Sequence, residues 1–237
     1  MKARPPEAPY AFHVIARIRN DFPTKFGLPR QSGLIDSLVS QIVFEPEYRS
    51  PVALRGLEGY THLWLIWGFS GARRAQWSAT VRPPRLGGNA RMGVFATRSP
   101  YRPNPVGLSC VRLLAIDADP PQGPVLRVAG ADMMDGTPIF DIKPYLPYTD
   151  SHPDAKGGFT QERAFTPLEV VFPEPLLSLI PDARRPALLA ALAGDPRPAY
   201  HSDPARVYGF TYAGLDVRFT VTDGVLTVVE VVPPEGR

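Results

Sequence analysis

Arginine is the side chain best placed to do chemistry in this sequence, because its distribution is one-sided. Between Gly59 and Ile116 there is no Asp or Glu, whereas Arg73, Arg74, Arg82, Arg85, Arg91, Arg98, Arg102 and Arg112 all fall inside. The centre of that window, Val81 to Ser109, reads VRPPRLGGNARMGVFATRSPYRPNPVGLS. A long one-signed segment concentrates positive potential and attracts anions such as phosphate, and the planar guanidinium fork suits bidentate phosphate or carboxylate recognition. Gly87, Gly88 and Gly93 permit close backbone approach, while Pro83, Pro84, Pro100, Pro103 and Pro105 stiffen the path between them. Asn89 and Asn104 add donors and acceptors and tolerate tight turns. The residues alone leave two readings open: an anion-binding surface, or a solvated basic loop.

The rest of the composition narrows the choice. The chain has 237 residues, 44% hydrophobic content and a net charge of +3, enough for one large or two small domains with a real core. Lys2, Lys25, Lys143 and Lys156 are the only lysines. That skew reflects genome base composition as readily as function, so the position of the arginines carries the argument. The single cysteine, Cys110, forbids an internal disulfide and fits a reducing compartment. Within VGLSCVRLL it reads as a small buried hydrophobe. His13, His62, His152 and His201 are too dispersed for a metal site. Met1 to Asn20 lacks a signal-peptide stretch and no run is long enough to span a bilayer, so the expectation is a soluble cytoplasmic protein without a metal.

The elements that must position the arginines are strands. FHVIARIR (Phe12 to Arg19) alternates apolar and polar residues, the period of a half-buried strand. A breaker-rich loop follows, in which Pro29, Arg30 and Gln31 set a charge and an amide beside a rigid proline. Gln41 to Phe44, the aromatic and β-branched run Tyr60 to Phe69, Val106 to Ile116, Val125 to Ala129 and Ile139 to Lys143 read as further strands. Many short strands with almost no helical period argue a mainly β fold with a single-sheet β-barrel, and no dinucleotide fingerprint or phosphate loop is present. Tyr145 to Phe165 reads as a linker or an excursion over the barrel. Beyond it, Pro186 to Ala193 predicts a helix with Gly194 as its C′ residue. Val207 to Tyr212, Leu215 to Thr222 and Val225 to Val232 predict a meander whose Asp223-Gly224 is a strong hairpin turn. The expected division is a barrel domain over 1–160 and a small C-terminal α/β appendage over 161–237.

The segments ALRGLEGYTHLWLIWGF, VRPPRLGGNARMGVFATRSPYRPNPVGLS, DGTPIFDIKPYLPYTDS and DPRPAY closely resemble the TrmO (TsaA-like, formerly YaeB) family. The resemblance runs from Phe12 to about His152, then thins to Asp195–Tyr200. It implies an S-adenosylmethionine-dependent tRNA methyltransferase built on a β-barrel and acting as a homodimer. The substrate implied is N6-threonylcarbamoyladenosine next to the anticodon of threonine tRNA, methylated on its exocyclic nitrogen. Carried over by motif, the cofactor-binding set is Pro29, Arg30, Gln31, Phe69, Ser70, Gly71, Arg98, Leu108, Asp135, Gly136, Thr137 and Pro138. Many members have histidine after the strand's phenylalanine. This chain has Ser70-Gly71, so any imidazole contact there is replaced or lost.

A sulfonium cofactor needs apolar walls, an oxygen near its positive sulfur and donors for its carboxylate. Trp67, Phe69 and Leu108 could supply walls, Asp135 the negative charge, and Arg98 or Arg30 the fork. Methyl transfer gains most from alignment; if a general base exists, the candidate is Asp135, whose other reading is half of a tight Asp-Gly turn. On the RNA side the expected residues are Arg91, Tyr101, Arg102 and Asn104, with Arg197 and Tyr200 from the appendage; Tyr200 could equally pack that appendage on the barrel. Competing readings are a non-enzymatic RNA-binding barrel and a barrel methyltransferase acting on another RNA.

Overall fold

The computed structural model describes residues 11–71, 76–83, 86, 90–118, 121–161, 166–197 and 203–234. In chain order, the first eight strands are β1 (Ala16–Arg19), β2 (Val39–Phe44), β3 (His62–Gly68), β4 (Thr80–Val81), β5 (Met92–Gly93), β6 (Val106–Asp117), β7 (Val125–Ala129) and β8 (Pro138–Pro144). Six of them close an antiparallel barrel in the order β1-β2-β7-β6-β3-β8. The period-two pattern decides which side chains fill it: on β3, Leu63, Leu65 and Trp67 are buried while His62, Trp64 and Ile66 are only partly covered. Ile18, Ile42, Val111, Leu126 and Ile139 meet them inside. Gly107 lies opposite Trp67 in the β3–β6 pair, and the indole occupies the space a Cβ there would need, so a side chain at 107 would displace the tryptophan.

β4 and β5 form a separate two-stranded ribbon inside the arginine window, pairing Thr80 with Gly93 and Val81 with Met92. After the barrel come the short helix α1 (Pro147–Asp150), then β9 (Glu169–Val171), α2 (Glu174–Leu177), α3 (Arg185–Ala193), β10 (Tyr208–Tyr212), β11 (Leu215–Thr222) and β12 (Val225–Val232). The last four strands make a sheet ordered β10-β11-β12-β9, with β9 parallel to β12. Its core joins Leu188 and Leu192 of α3 to Phe219 and Leu226. Phe22, Ile35 and Leu38, from the loop between β1 and β2, are buried in that same core. Phe22 packs 4.9 Å from the ring of Tyr212, and Asp21 accepts an ion pair from Arg184 at 2.9 Å. The barrel's first loop is therefore held by the appendage.

Several sequence expectations need adjustment. The first strand is Ala16–Arg19 rather than Phe12 to Arg19, because its register with β2 begins at Ala16, opposite Phe44, and runs to Arg19, opposite Gln41. The aromatic strand begins at His62, since Tyr60 closes a 3-10 turn by donating to the Leu57 carbonyl at 3.1 Å. Gly194 is not left-handed, with φ −68°; the left-handed residue is Asp195, at φ 48°. The Asp223-Gly224 turn has φ values of 49° and 82°, as a primed two-residue hairpin requires.

Candidate functional site

The loop between β1 and β2 and the arginine window meet across a cleft of about 1540 Å³. Pro29, Arg30 and Gln31 form one wall, and Arg98, Arg91 and Tyr101 stand opposite. The two walls are joined: Arg98 Nη1 donates to Gln31 Oε1 at 2.6 Å, and Gln31 Nε2 donates to the Arg30 carbonyl at 2.6 Å. Arg30 Nη2 in turn donates to the Asp195 carbonyl at 3.0 Å, tying the wall to the appendage. Among the described residues, Lys25, Arg30, Arg82, Arg91 and Arg98 line the cleft with a single carboxylate, Asp132.

Asp132 was not singled out by sequence reasoning. It lies just beyond β7, and its neighbours in sequence are apolar, so no spacing marks it. Three-dimensional contacts do: Trp67 Nε1 donates to Ser109 Oγ at 2.9 Å, and Ser109 Oγ donates to Asp132 Oδ1 at 2.5 Å. Ser109 and Trp67 are buried in the barrel, so this relay runs from the barrel interior to the cleft. Burial pushes the Asp132 carboxyl above the ordinary carboxylate range, partly offset by the Ser109 bond, by backbone N–H groups and by the positive charge of Arg98.

The Asp135–Pro138 turn is placed differently. Asp135 Oδ1 accepts from the Asn20 backbone N–H at 3.1 Å and Oδ2 from Arg19 Nη1 at 3.4 Å, while the Asp135 N–H donates to the Phe22 carbonyl at 2.8 Å. Its carboxylate lines a second, smaller cavity of about 350 Å³ with Arg19, Asp21, Arg184 and Tyr212. Gly136 takes the positive φ of the turn, 74°, and Thr137 and Pro138 are buried. The structure thus separates Asp135 from the Arg98 cleft, where Asp132 is the carboxylate among the described residues.

The other expected residues divide in the same manner. Phe69 packs 4.4 Å from Trp67, Ser70 is exposed, and Gly71 abuts the Met134 side chain, so this corner adjoins the loop carrying Asp132 and Asp135 without lining the cleft. Leu108 lies on the outer barrel wall, 53% exposed. Arg102 donates to the Thr97 and Ser99 carbonyls at 3.1 and 3.4 Å and braces its own turn. Asn104 is exposed, and its carbonyl accepts from Val106. Arg197 is held by Asp195 in a two-point contact at 2.8 and 3.0 Å, which also raises its pKa. Tyr200, with Arg73, Arg74, Pro84, Arg85, Gly87, Gly88 and Asn89, lies outside the described residues. Among the described residues no cluster of His, Cys, Asp or Glu could hold a metal ion, and no helix is long and apolar enough to cross a membrane.

Comparison with known proteins places most of the chain in one family. Residues 17–151 match the model of the tRNA-methyltransferase O N-terminal domain, and residues 167–234 match the TrmO C-terminal domain. The tRNA (adenine(37)-N6)-methyltransferase of Escherichia coli is 40% identical over 234 residues, covering 94% of this chain and 98% of that protein. A Pseudomonas aeruginosa relative described as a putative S-adenosylmethionine-dependent methyltransferase is 38% identical, covering 86% of this chain and 90% of its own. A crystal structure of TrmO from Pseudomonas aeruginosa superimposes with a TM-score of 0.74 at 31% identity, over 94% of this chain and 99% of that one. With both domains matched and the barrel shared, this chain belongs to the tRNA-methyltransferase O family and is a methyltransferase.

Proposed function

We propose that this chain methylates the exocyclic N6 nitrogen of N6-threonylcarbamoyladenosine, next to the anticodon of threonine tRNA, using S-adenosyl-L-methionine. The proposal includes action as a homodimer in the cytoplasm. The observation that carries the reading is the cleft itself, which among the described residues is lined by five cationic side chains and one carboxylate. Its volume of about 1540 Å³ exceeds the roughly 300–1,000 Å³ of a usual small-ligand pocket, room enough for a cofactor and a nucleotide together. Extruding a base from a loop costs less than from a duplex, which suits a target beside the anticodon.

The donor set fits the cofactor. Its carboxylate calls for a guanidinium fork, supplied by Arg98 or Arg30, and its positive charge calls for an oxygen, supplied by Asp132. Bound there, the cofactor supplies an electrophilic methyl group on a positively charged sulfur. Gln31 fixes the Arg98 guanidinium before anything binds, so less side-chain freedom remains to be lost on binding. Ser109, itself held by Trp67, fixes the Asp132 carboxylate. The accepting nitrogen loses its proton as it is methylated, and Asp132, whose basicity burial has increased, is the cleft residue placed to receive it. Asp135 keeps the role of a turn residue. Arg91 and Tyr101 serve the RNA, with phosphate meeting the guanidinium and a base meeting the ring.

The homodimer draws support from the outer barrel wall, where Leu108 is exposed and Phe12, 62% exposed, stacks on Phe140 at 5.4 Å. Leu108 enters the cofactor set through contact with a second copy. The test is mass spectrometry of nucleosides from threonine tRNA containing threonylcarbamoyladenosine, incubated with the protein and S-adenosylmethionine. One added methyl on that nucleoside supports the reading. Methyl incorporation into a different nucleoside, or none with cofactor bound, overturns the substrate assignment.

A further inference from the structure

Two large aromatic side chains stand exposed beside the cleft lining, each one residue along the chain from it, with no part in the arrangement above. Trp77 is 53% and Phe95 73% exposed, and their rings lie 6.4 Å apart and within 22° of parallel. The β4–β5 ribbon brings them together. Trp77 precedes β4 and Phe95 sits in the 3-10 turn Val94–Ala96 directly after β5, while the Val94 N–H donates to the Ala79 carbonyl at 3.0 Å to close the ribbon's end. Their chain neighbours Ser78 and Ala96 line the cleft. Leaving two such rings in water forgoes the burial each could have had, and their surroundings specify what covers them. Arg82, Arg91, Arg98 and Arg102 are the charged residues of the described chain between Trp77 and Asn104, which holds no carboxylate. A protein face would need an unusually acidic surface to meet it, whereas single-stranded RNA offers flat bases and phosphates together.

We propose that Trp77 and Phe95 form a stacking platform for an unpaired base of the anticodon loop flanking the nucleotide that enters the cleft. The proposal rests on the tRNA reading of the cleft. The phosphates on either side of the stacked base meet Arg82 and Arg91, and the platform fixes how deeply the loop enters. Stacking is tolerant of base identity because every base has a π-face, so the platform holds the loop without choosing its sequence.

The experiment measures binding of a threonine anticodon stem-loop RNA, and of an RNA duplex of equal length, to the full-length protein. Intrinsic tryptophan fluorescence is the first readout, with the Trp77→Phe variant identifying the share due to residue 77. The stem-loop quenches the Trp77 emission and the duplex, whose bases are already stacked, does not. Trp77→Ala and Phe95→Ala each weaken stem-loop binding about tenfold, leave duplex binding unchanged and keep the dependence on salt concentration, because no phosphate contact is removed. Trp77→Phe and Phe95→Tyr retain most of the affinity, which separates stacking from loss of fold. The proposal is overturned if both alanine variants bind the stem-loop within twofold of wild type. It is equally overturned if they lose self-association in sedimentation while RNA binding stays intact, which would make the pair a contact between copies. Failure of the wild-type protein to bind the stem-loop would instead remove the tRNA reading, and the platform with it.

Discussion

Asp132 and Asp135 share one loop, yet they end in cavities of opposite electrostatic character. Around Asp135, charges are matched: Arg19 contacts Asp135 at 3.4 Å and Arg184 contacts Asp21 at 2.9 Å. Around Asp132, none of Lys25, Arg30, Arg82, Arg91 and Arg98 forms a direct ion pair with a described carboxylate. Matched charges leave little field for a ligand, so the smaller cavity reads as a joint between barrel and appendage. Unmatched cations held by neutral partners such as Gln31 and Thr80 keep their charge available for an incoming anion. A carboxylate is thus not informative by type; its partners decide whether it supports structure or faces a ligand.

The sharpest way to break this contrast is to neutralise each aspartate. Asp132→Asn should lower single-turnover methyl transfer at saturating cofactor about 10²–10⁴-fold, the usual range for a removed proton acceptor. Asp135→Asn should leave the transfer rate within a few-fold; equal losses from both variants would dissolve the distinction. A second large effect belongs to the joint. Phe22 is fully buried in the appendage core, so Phe22→Ala should cost about 3–5 kcal/mol in denaturant unfolding. Next is Arg98→Ala, expected to weaken cofactor binding by about 1.5–3 kcal/mol in calorimetry, the range for a hydrogen bond to a charged group. Unchanged affinity would remove Arg98 from the cofactor set.

The smallest expected effect is a pH signature. The Asp132 carboxyl is raised by burial, so its folded-state pKa exceeds the unfolded value of about 3.9. Across that window the folded protein binds more protons than the unfolded one, and its stability falls as pH rises from the unfolded value through the folded one. Asp132→Asn should flatten that fall in thermal melts taken across the acid range, whereas Asp135→Asn should not.

The barrel was legible in the sequence because its strands alternate: Leu63, Leu65 and Trp67 announce the inward face of β3 before any pairing is known. The Asp223-Gly224 hairpin was legible for a local reason too, since both residues must take positive φ. β9 escaped notice because its Glu169–Val171 is short and pairs in parallel with β12, a partner distant in the chain. The β4–β5 ribbon has only two residues a strand and no alternation to show. Pro29, Arg30, Gln31 and Arg98 were singled out through their motifs, and all four line one cleft. Asp132 escaped notice because the groups that hold its carboxylate, Ser109 and Trp67, reach it only once the barrel has closed.

The placement of Phe22, Ile35 and Leu38 in the appendage core has a thermodynamic consequence. These residues bracket Pro29–Gln31 on the same loop, so any opening of the appendage loosens a wall of the cleft, and any ligand that fixes that wall must oppose the opening. Coupling of this kind is reciprocal. Saturating the cleft should therefore slow amide hydrogen exchange in β10 and β11, on the far side of the joint, by the factor through which the intact appendage tightens ligand binding.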